Sequence, residues 1–259
     1  MNHKKFILKT KNLTEKFGGL TAVNSVEIFV EEGKITSLIG PNGSGKTTLF
    51  NMITGFLQPT EGDIYFEDKN ITGLKPFETS KIGITRTFQQ VETFPELSVE
   101  DCIIGGMHNI SETGLLSIIL KRKSRKENFK EEIEKILELT NLIDKKRTLA
   151  KNLSHGELKM LQIAIGLATS PRILLLDEPV GGVSSAEIEK VLKLIKKFKE
   201  DGLTIFMIEH NMRAVMDISD YIFVMNYGNK IAEGPPEKVQ KDPHTIEAYL
   251  GGGYHAKNK

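Results

Sequence analysis

Residues 35–53 read ITSLIGPNGSGKTTLFNMI, and the texture changes twice along that stretch. Ile35–Ile39 is a short apolar run with the composition of a buried strand. Gly40-Pro41-Asn42-Gly43-Ser44-Gly45-Lys46-Thr47, followed by Thr48, fits the pattern G-x-x-x-x-G-K-[ST]. The residues after the loop take helical spacing, which stops near Gly55, a residue type that ends helices. Strand, glycine-rich loop and helix in that order make a cradle for phosphate. Glycines let the backbone curl until its N–H groups face phosphate oxygens, and the helix adds its positive N-terminal end. In that setting Lys46 reaches the β- and γ-phosphates of a nucleotide, and the Thr47 hydroxyl binds Mg2+.

Outward from the loop, short β-like runs and turns precede it: FILKTK at 6–11, SVEIFV at 25–30 and the turn EEGK at 31–34. A turn between two apolar runs predicts an antiparallel hairpin joining 25–30 to 35–39. EGDIYFED at 61–68 and IGITRTFQ at 82–89 predict further strands. Between Val99 and Thr169 the pattern is helical, and FKEEIEKILELTNL puts Phe129, Ile133, Ile136, Leu137 and Leu142 on one apolar face. Strands and helices then alternate. RILLLDE, LTIFMIEH and YIFVMNYG read as strands, and 186–200 is amphipathic through Ile188, Val191, Leu192, Ile195 and Phe198. Alternation of this kind implies a mostly parallel sheet with helices on its faces. The expected fold is α/β: a P-loop core with a mostly parallel sheet, an N-terminal antiparallel β flank and an inserted helical subdomain. One domain spans 1–259, with 1–88 and 170–259 as the nucleotide-binding core and 89–169 as the inserted part.

The composition excludes some functions. With 35 Lys and Arg against 34 Asp and Glu in 259 residues, nothing pushes the chain toward nucleic acid as its primary ligand. A single cysteine, Cys102, forms no intrachain disulfide, so a reducing compartment is expected, and its surroundings VEDCIIGG read as a helix packing inward. MNHKKFILKTK has no apolar h-region, and LLSIIL at 115–120 is too short to cross a bilayer. The expected location is the cytosol, or a membrane surface reached through partners.

Three further stretches carry chemistry. ILLLDE ends in Asp177 and Glu178 at a strand tip; beside a phosphate loop, an Asp there holds Mg2+ and a second carboxylate orients and deprotonates water. His210 in FMIEHN reads equally as a packed or solvated residue and as a hydrogen-bonding partner of a γ-phosphate. LSHGE at 153–157 precedes a helical run, and Ser154 with Glu157 has the form of a capping box. Gly156 is a poor residue for a first helical turn. It makes sense where something approaches the backbone closely, so Ser154, Gly156 and the helix end suggest an anion site.

These motifs, in their order and spacing, resemble the nucleotide-binding subunits of ABC transporters, from about Phe6 to Gly251. Beside the loop and ILLLDE, Gln89 in RTFQ is similar to the Q-loop, LSHGE to the signature motif, PVGGVSS to the D-loop and His210 to the switch histidine. Phe17 in EKFGG corresponds to the aromatic residue that stacks on adenine. The resemblance implies ATP and Mg2+ as cofactors. It implies a head-to-tail pair, in which Ser154, Gly156 and Glu157 read the ATP held by the other chain's Gly40–Thr48 loop. Glu178 is then the general base, with His210 and Lys46 at the γ-phosphate and Thr47, Gln89 and Asp177 at Mg2+. Two departures stand out: the usual L-S-G-G-Q has His155 and Glu157 here, and Ser184 stands where an Asp is common.

GITRTFQ, IEHNMRAVMDISDYIFVMNYGNKIAEGPPEKV and IEAYLG look most like the branch serving branched-chain amino acid importers. LSHGE and DEPVGG also resemble urea and short-amide importers. The implied partners are a second ATPase subunit, alike or paralogous, membrane-spanning permease subunits and, indirectly, a substrate-binding protein, on the cytoplasmic face of the membrane. Phe94 and Pro95 read as part of a groove for the permease or as core. The basic run KRKSRK at 121–126 reads as a solvated face or a contact for anionic lipid. The alternative of another class is a soluble ABC ATPase acting on nucleic acid or ribosomes, but such chains carry coiled coils or paired cassettes.

Overall fold

The computed structural model describes residues 5–87, 94–107 and 122–250. Gln89 lies outside them, as do the side chains of the 121–126 run.

Two sheets stack. In the first, the long strand β1 (Phe6–Phe17) pairs antiparallel with β2 (Leu20–Val26), β3 (Phe29–Glu31) and β5 (Glu61–Phe66), and β5 carries β6 (Lys69–Asn70). The second contains β4 (Ile35–Ile39), β7 (Ile84–Arg86), β8 (Ile173–Asp177), β9 (Thr204–Ile208), β10 (Tyr221–Asn226) and β11 (Asn229–Gly234). Its order is β11-β10-β4-β9-β8-β7, parallel throughout except for the antiparallel edge strand β11. The mostly parallel sheet and the antiparallel flank are therefore both present.

The hairpin expected at EEGK is not formed. β3 joins β1 in the first sheet, while β4 lies between β10 and β9 in the second. Both edges of β4 are taken by parallel neighbours, so the turn carries the chain from one sheet to the other.

Nine α-helices and two short 3-10 turns, Ile143–Lys145 and Ala150–Asn152, complete the described residues, the α-helices being α1 (Lys46–Ile53), α2 (Pro76–Lys81), α3 (Val99–Met107), α4 (Arg122–Leu139), α5 (His155–Ala168), α6 (Ser185–Glu200), α7 (Met212–Ile218), α8 (Pro236–Val239) and α9 (Pro243–Leu250). β4, β8 and β9 are buried at every position because the sheet is covered on both faces. Strand alternation divides the core. Leu38, Leu175 and Phe206 pack toward the antiparallel sheet and α1, whereas Ile39, Leu174, Leu176 and Met207 pack toward the helices of the other face. Phe50 of α1 meets Phe206 with ring centroids 4.8 Å apart. Burying one such ring stabilises by about 1.5–3 kcal/mol, which anchors the helix that follows the phosphate loop.

On α6, Val191, Leu192, Ile195 and Phe198 are buried as the spacing predicts and Ile188 is partly buried, and Cys102 packs inward on α3, where burial pushes its thiol up. In α4, Ile133, Ile136 and Leu137 are buried, as is Leu142 just beyond it, but Phe129 is exposed. The periodic face is real; its burial extends only as far as α3 and α5 reach. Among the described residues no helix is long and apolar enough to cross a membrane.

Candidate functional site

The register of the parallel sheet assembles the site. Leu38 pairs with Ile208 and Asp177 with Ile208, so Gly40, Glu178 and Glu209–His210 emerge together at the C-terminal ends of neighbouring strands. That edge is where open α/β sheets bind ligands.

The phosphate loop leaves β4 with Gly40 at φ 150°, Gly43 at 77° and Gly45 at 100°. A Cβ on Gly40 would lie 2.1 Å from the Met225 carbonyl oxygen, and one on Gly45 2.4 Å from that of Ala22. No side chain fits either position. Lys46 opens α1, and its Nζ donates to the Gly40 and Pro41 carbonyl oxygens at 2.8 Å each. Burial holds its pKa below the usual lysine value, opposed by the nearby Glu178 and Asp177 carboxylates. The loop is braced from outside by Gly228 N–H, which donates to the Ser44 carbonyl at 3.1 Å. Beside it lies a cavity of about 610 Å³ lined by Phe17, the loop from Asn42 to Thr48, Glu178 and Tyr227. Phe17 is half-exposed there, which leaves its ring face available for stacking.

Asp177 ends β8 almost fully buried, and its Oδ2 accepts from Arg86 Nη2 at 2.6 Å. Glu178 follows in the left-handed region at φ 49°, an uncommon backbone for a residue with a side chain. Its N–H donates to the Ile208 carbonyl, and its own carbonyl accepts from Gly181 N–H at 3.0 Å and from Lys159 Nζ at 3.3 Å. The Glu178 carboxylate sits 3.4 Å from His210 Nδ1. The contact brings His210 to the same corner as Glu178, with its side chain still half-exposed.

Two charged residues that sequence patterns passed over hold this corner. Glu209, 1% exposed, accepts from Val180 N–H at 2.9 Å through one oxygen and from His210 and Asn211 N–H at 2.9 and 3.1 Å through the other. It ties the Glu178 turn to the His210 turn. Lys159 of α5, 4% exposed, has its pKa lowered by burial, against the pull of Glu178, Asp177 and Glu209. The available signal was a charge inside an apolar helical or strand run, where an unpaired charge does not survive.

The LSHGE stretch forms the start of α5. Ser154 Oγ accepts from Glu157 N–H at 3.2 Å, and the Glu157 carboxylate accepts from Ser154 N–H at 2.8 Å, a complete capping box. Gly156 has a close neighbour within the chain: a Cβ there would lie 2.1 Å from Glu187 Oε1. Glu187 in turn accepts from the Ser184 N–H at 2.8 Å and from the Ser184 hydroxyl at 2.7 Å at the start of α6, and the second bond uses a donor that an aspartate lacks. His155 Nε2 lies 3.4 Å from the Gly181 carbonyl oxygen. None of residues 154–157 lines the cavity beside the phosphate loop. Within one chain, then, Phe17, the loop, Asp177, Glu178 and His210 come together, and Ser154, Gly156 and Glu157 stand apart.

A second, apolar groove of about 670 Å³ lies between the core and the helical part, with Phe56, Phe77, Phe94 and Leu97 exposed along it. Phe94 is 71% exposed, which decides against its being core.

Comparison with known proteins gives a consistent picture. Residues 23–181 match the family described as ABC transporter, and 229–255 match the one described as branched-chain amino acid ATP-binding cassette transporter. The high-affinity branched-chain amino acid transport ATP-binding protein BraF of Pseudomonas aeruginosa is 41% identical over 249 residues, covering 95% of this chain and 98% of that protein. The ADP conformation of the ATP-binding cassette MJ1267 superimposes with a TM-score of 0.83 at 37% identity, over 95% of this chain and 99% of that one. A dimeric post-hydrolysis state of the cassette MJ0796 with ADP and Pi gives 0.74 at 27% identity, over 88% and 98%.

Proposed function

The chain belongs to the ABC transporter family, and from that premise we propose that it is the ATP-hydrolysing subunit of an importer for branched-chain amino acids. The transport specificity rests on the likeness to BraF and on the match at 229–255.

One observation carries the mechanism: the two phosphate-reading elements lie apart in the chain's own fold, so a single copy contacts ATP from one side only. A second copy of the chain completes the site by placing its Ser154 hydroxyl and Gly156 backbone over the γ-phosphate, with Glu157 holding that helix start through its capping box, and a paralogous ATPase subunit does so with its corresponding residues. ATP then favours the closed pair, because only that state binds it from both sides. Adenine stacks on Phe17 and the phosphates take the loop N–H groups. Lys46 exchanges the Gly40 and Pro41 carbonyls for β- and γ-phosphate oxygens. Glu178, set by its left-handed backbone and steadied by His210, accepts the proton of the attacking water.

The residues suit Mg2+. Among the described residues no cluster of three or more His, Cys, Asp or Glu forms a metal cage. A hydroxyl at Thr47 and one buried carboxylate at Asp177 instead offer the few hard oxygen donors this ion takes when phosphates supply the rest. Gln89 is the further candidate ligand. Bound there, the ion neutralises charge that builds on the phosphates during hydrolysis.

We assign the apolar groove holding Phe56, Phe77 and Phe94 to a membrane-spanning permease, and with it we propose the cytoplasmic face of the membrane as the subunit's location. Residues 89–169 then act as the helical subdomain that carries both this groove's far wall and the signature stretch. The test is affinity capture of the chain from detergent-solubilised native membranes. Many-span membrane subunits with a second ATPase support the reading; ribosomal or nucleic-acid-bound partners alone contradict it.

A further inference from the structure

We propose that Arg86 is a positioning residue for the metal site, fixing the Asp177 carboxylate relative to the Thr47 hydroxyl through a bridge to α1. Arg86 ends β7, and its side chain is 5% exposed against 3% for that of Asp177. Nη2 donates to Asp177 Oδ2 at 2.6 Å, and Nη1 donates to Asn51 Oδ1 at 2.6 Å. The guanidinium carbon lies 5.6 Å from the centre of the Phe50 ring, so the group is packed on one side as well as bonded at its fork.

Asn51 and Thr47 are four residues apart on α1 and share a face of it. The guanidinium thus connects the carboxylate at the end of β8 to the same helical face that carries the metal-binding hydroxyl. With Oδ2 engaged by Arg86, Oδ1 is the oxygen left for Mg2+, and its position relative to Thr47 is set by two hydrogen bonds. A buried ion pair is poor evidence for stability, since desolvating both charges offsets most of their attraction. What this pair supplies is geometry. Lysine, a point charge without a planar fork, does not reproduce the bridge.

The inference rests on the reading of Asp177 as a metal-holding residue, and the experiment separates the two. ATP affinity of the purified chain is measured by calorimetric titration in Mg2+ and again in EDTA, for the wild type and for Arg86→Met, Arg86→Lys, Asn51→Leu and Asp177→Asn. Thermal melts establish that each variant is folded. The expected result for Arg86→Met is unchanged affinity in EDTA and loss of about 10-fold or more of the gain conferred by Mg2+, the size seen when a residue orienting a metal ligand is removed. Arg86→Lys stays impaired, and Asn51→Leu, which keeps the ion pair, loses part of the gain. A merely structural role would lower both affinities together. Full recovery in Arg86→Lys, or an intact Mg2+ gain in Arg86→Met, overturns the proposal. Should Arg86→Met not fold, an undiminished gain in Asn51→Leu overturns it equally. If Asp177→Asn itself keeps the gain, the metal reading of Asp177 fails and the proposal with it.

Discussion

Replacing Glu209 by alanine removes the acceptor for three backbone N–H groups at once. The Val180 N–H is buried, and losing a charged partner there costs about 1.5–3 kcal/mol. The His210 and Asn211 N–H groups are part-buried and regain water, so each costs about 0.5–1.5 kcal/mol. The sum is about 2.5–6 kcal/mol, a large share of the roughly 5–15 kcal/mol that holds a domain together. At about 2–4 °C per kcal/mol for a chain of this size, the melting temperature falls by about 5–24 °C. Glutamine keeps one oxygen and turns an amide donor toward the other N–H set, so Glu209→Gln loses about half as much. The functional effect is selective. The phosphate loop is held by β4 and α1, so ATP affinity stays near wild type. Turnover drops by about 100-fold, because Glu178 and His210 lose their common anchor and small misplacements at reacting groups are expensive. Urea titration and single-turnover kinetics on the same preparations measure both. An unchanged unfolding midpoint refutes the reasoning, as does a loss of affinity that matches the loss of turnover.

Lys46→Ala removes a charge-assisted contact to the phosphates and weakens ATP binding by about 10- to 100-fold, measurable by calorimetry. Cys102 is buried with its pKa pushed up, so native protein at neutral pH alkylates far more slowly than protein unfolded in guanidinium; equal rates contradict its placement on α3. The Ser154 N–H bond to Glu157, opposed by slight burial and aided by Lys145, holds Glu157 below the usual carboxylate range. Its stabilisation is therefore complete above the unfolded pKa of about 4.3 and is lost as pH falls through the lower folded value. Glu157→Gln flattens that part of the stability–pH curve, which acid titration of the fluorescence or circular dichroism signal reads directly.

Much of the fold and the site is legible in the sequence, for identifiable reasons. Ile35–Ile39, Ile173–Asp177 and Thr204–Ile208 are nearly continuous apolar runs because both faces of the sheet are covered, and each ends at the residues proposed for the chemistry. Pairing is harder to read. EEGK looks like a hairpin turn, yet which strands own the edges of β4 is decided by β9 and β10, more than a hundred residues away in sequence. The buried charges are visible as charges within apolar runs, but their partners are hidden for the same reason. Lys159 sits within the periodicity of α5 and Glu209 directly follows β9, and their partners Glu178 and Val180 come from the turn after β8. Gly156 signals a close approach correctly, but only the meeting of the start of α6 with the start of α5 reveals Glu187 as the group that approaches.

The central claim is that two chains hydrolyse ATP between them with Glu178 as the base. Its most direct test is Glu178→Gln, assayed for MgATP turnover and by analytical ultracentrifugation with and without MgATP. The account predicts a rate lower by about 10²–10⁴-fold together with a stable MgATP-dependent pair, since the loop still binds ATP while the proton acceptor is gone. Near-normal turnover, or a chain that stays single with MgATP bound, contradicts it.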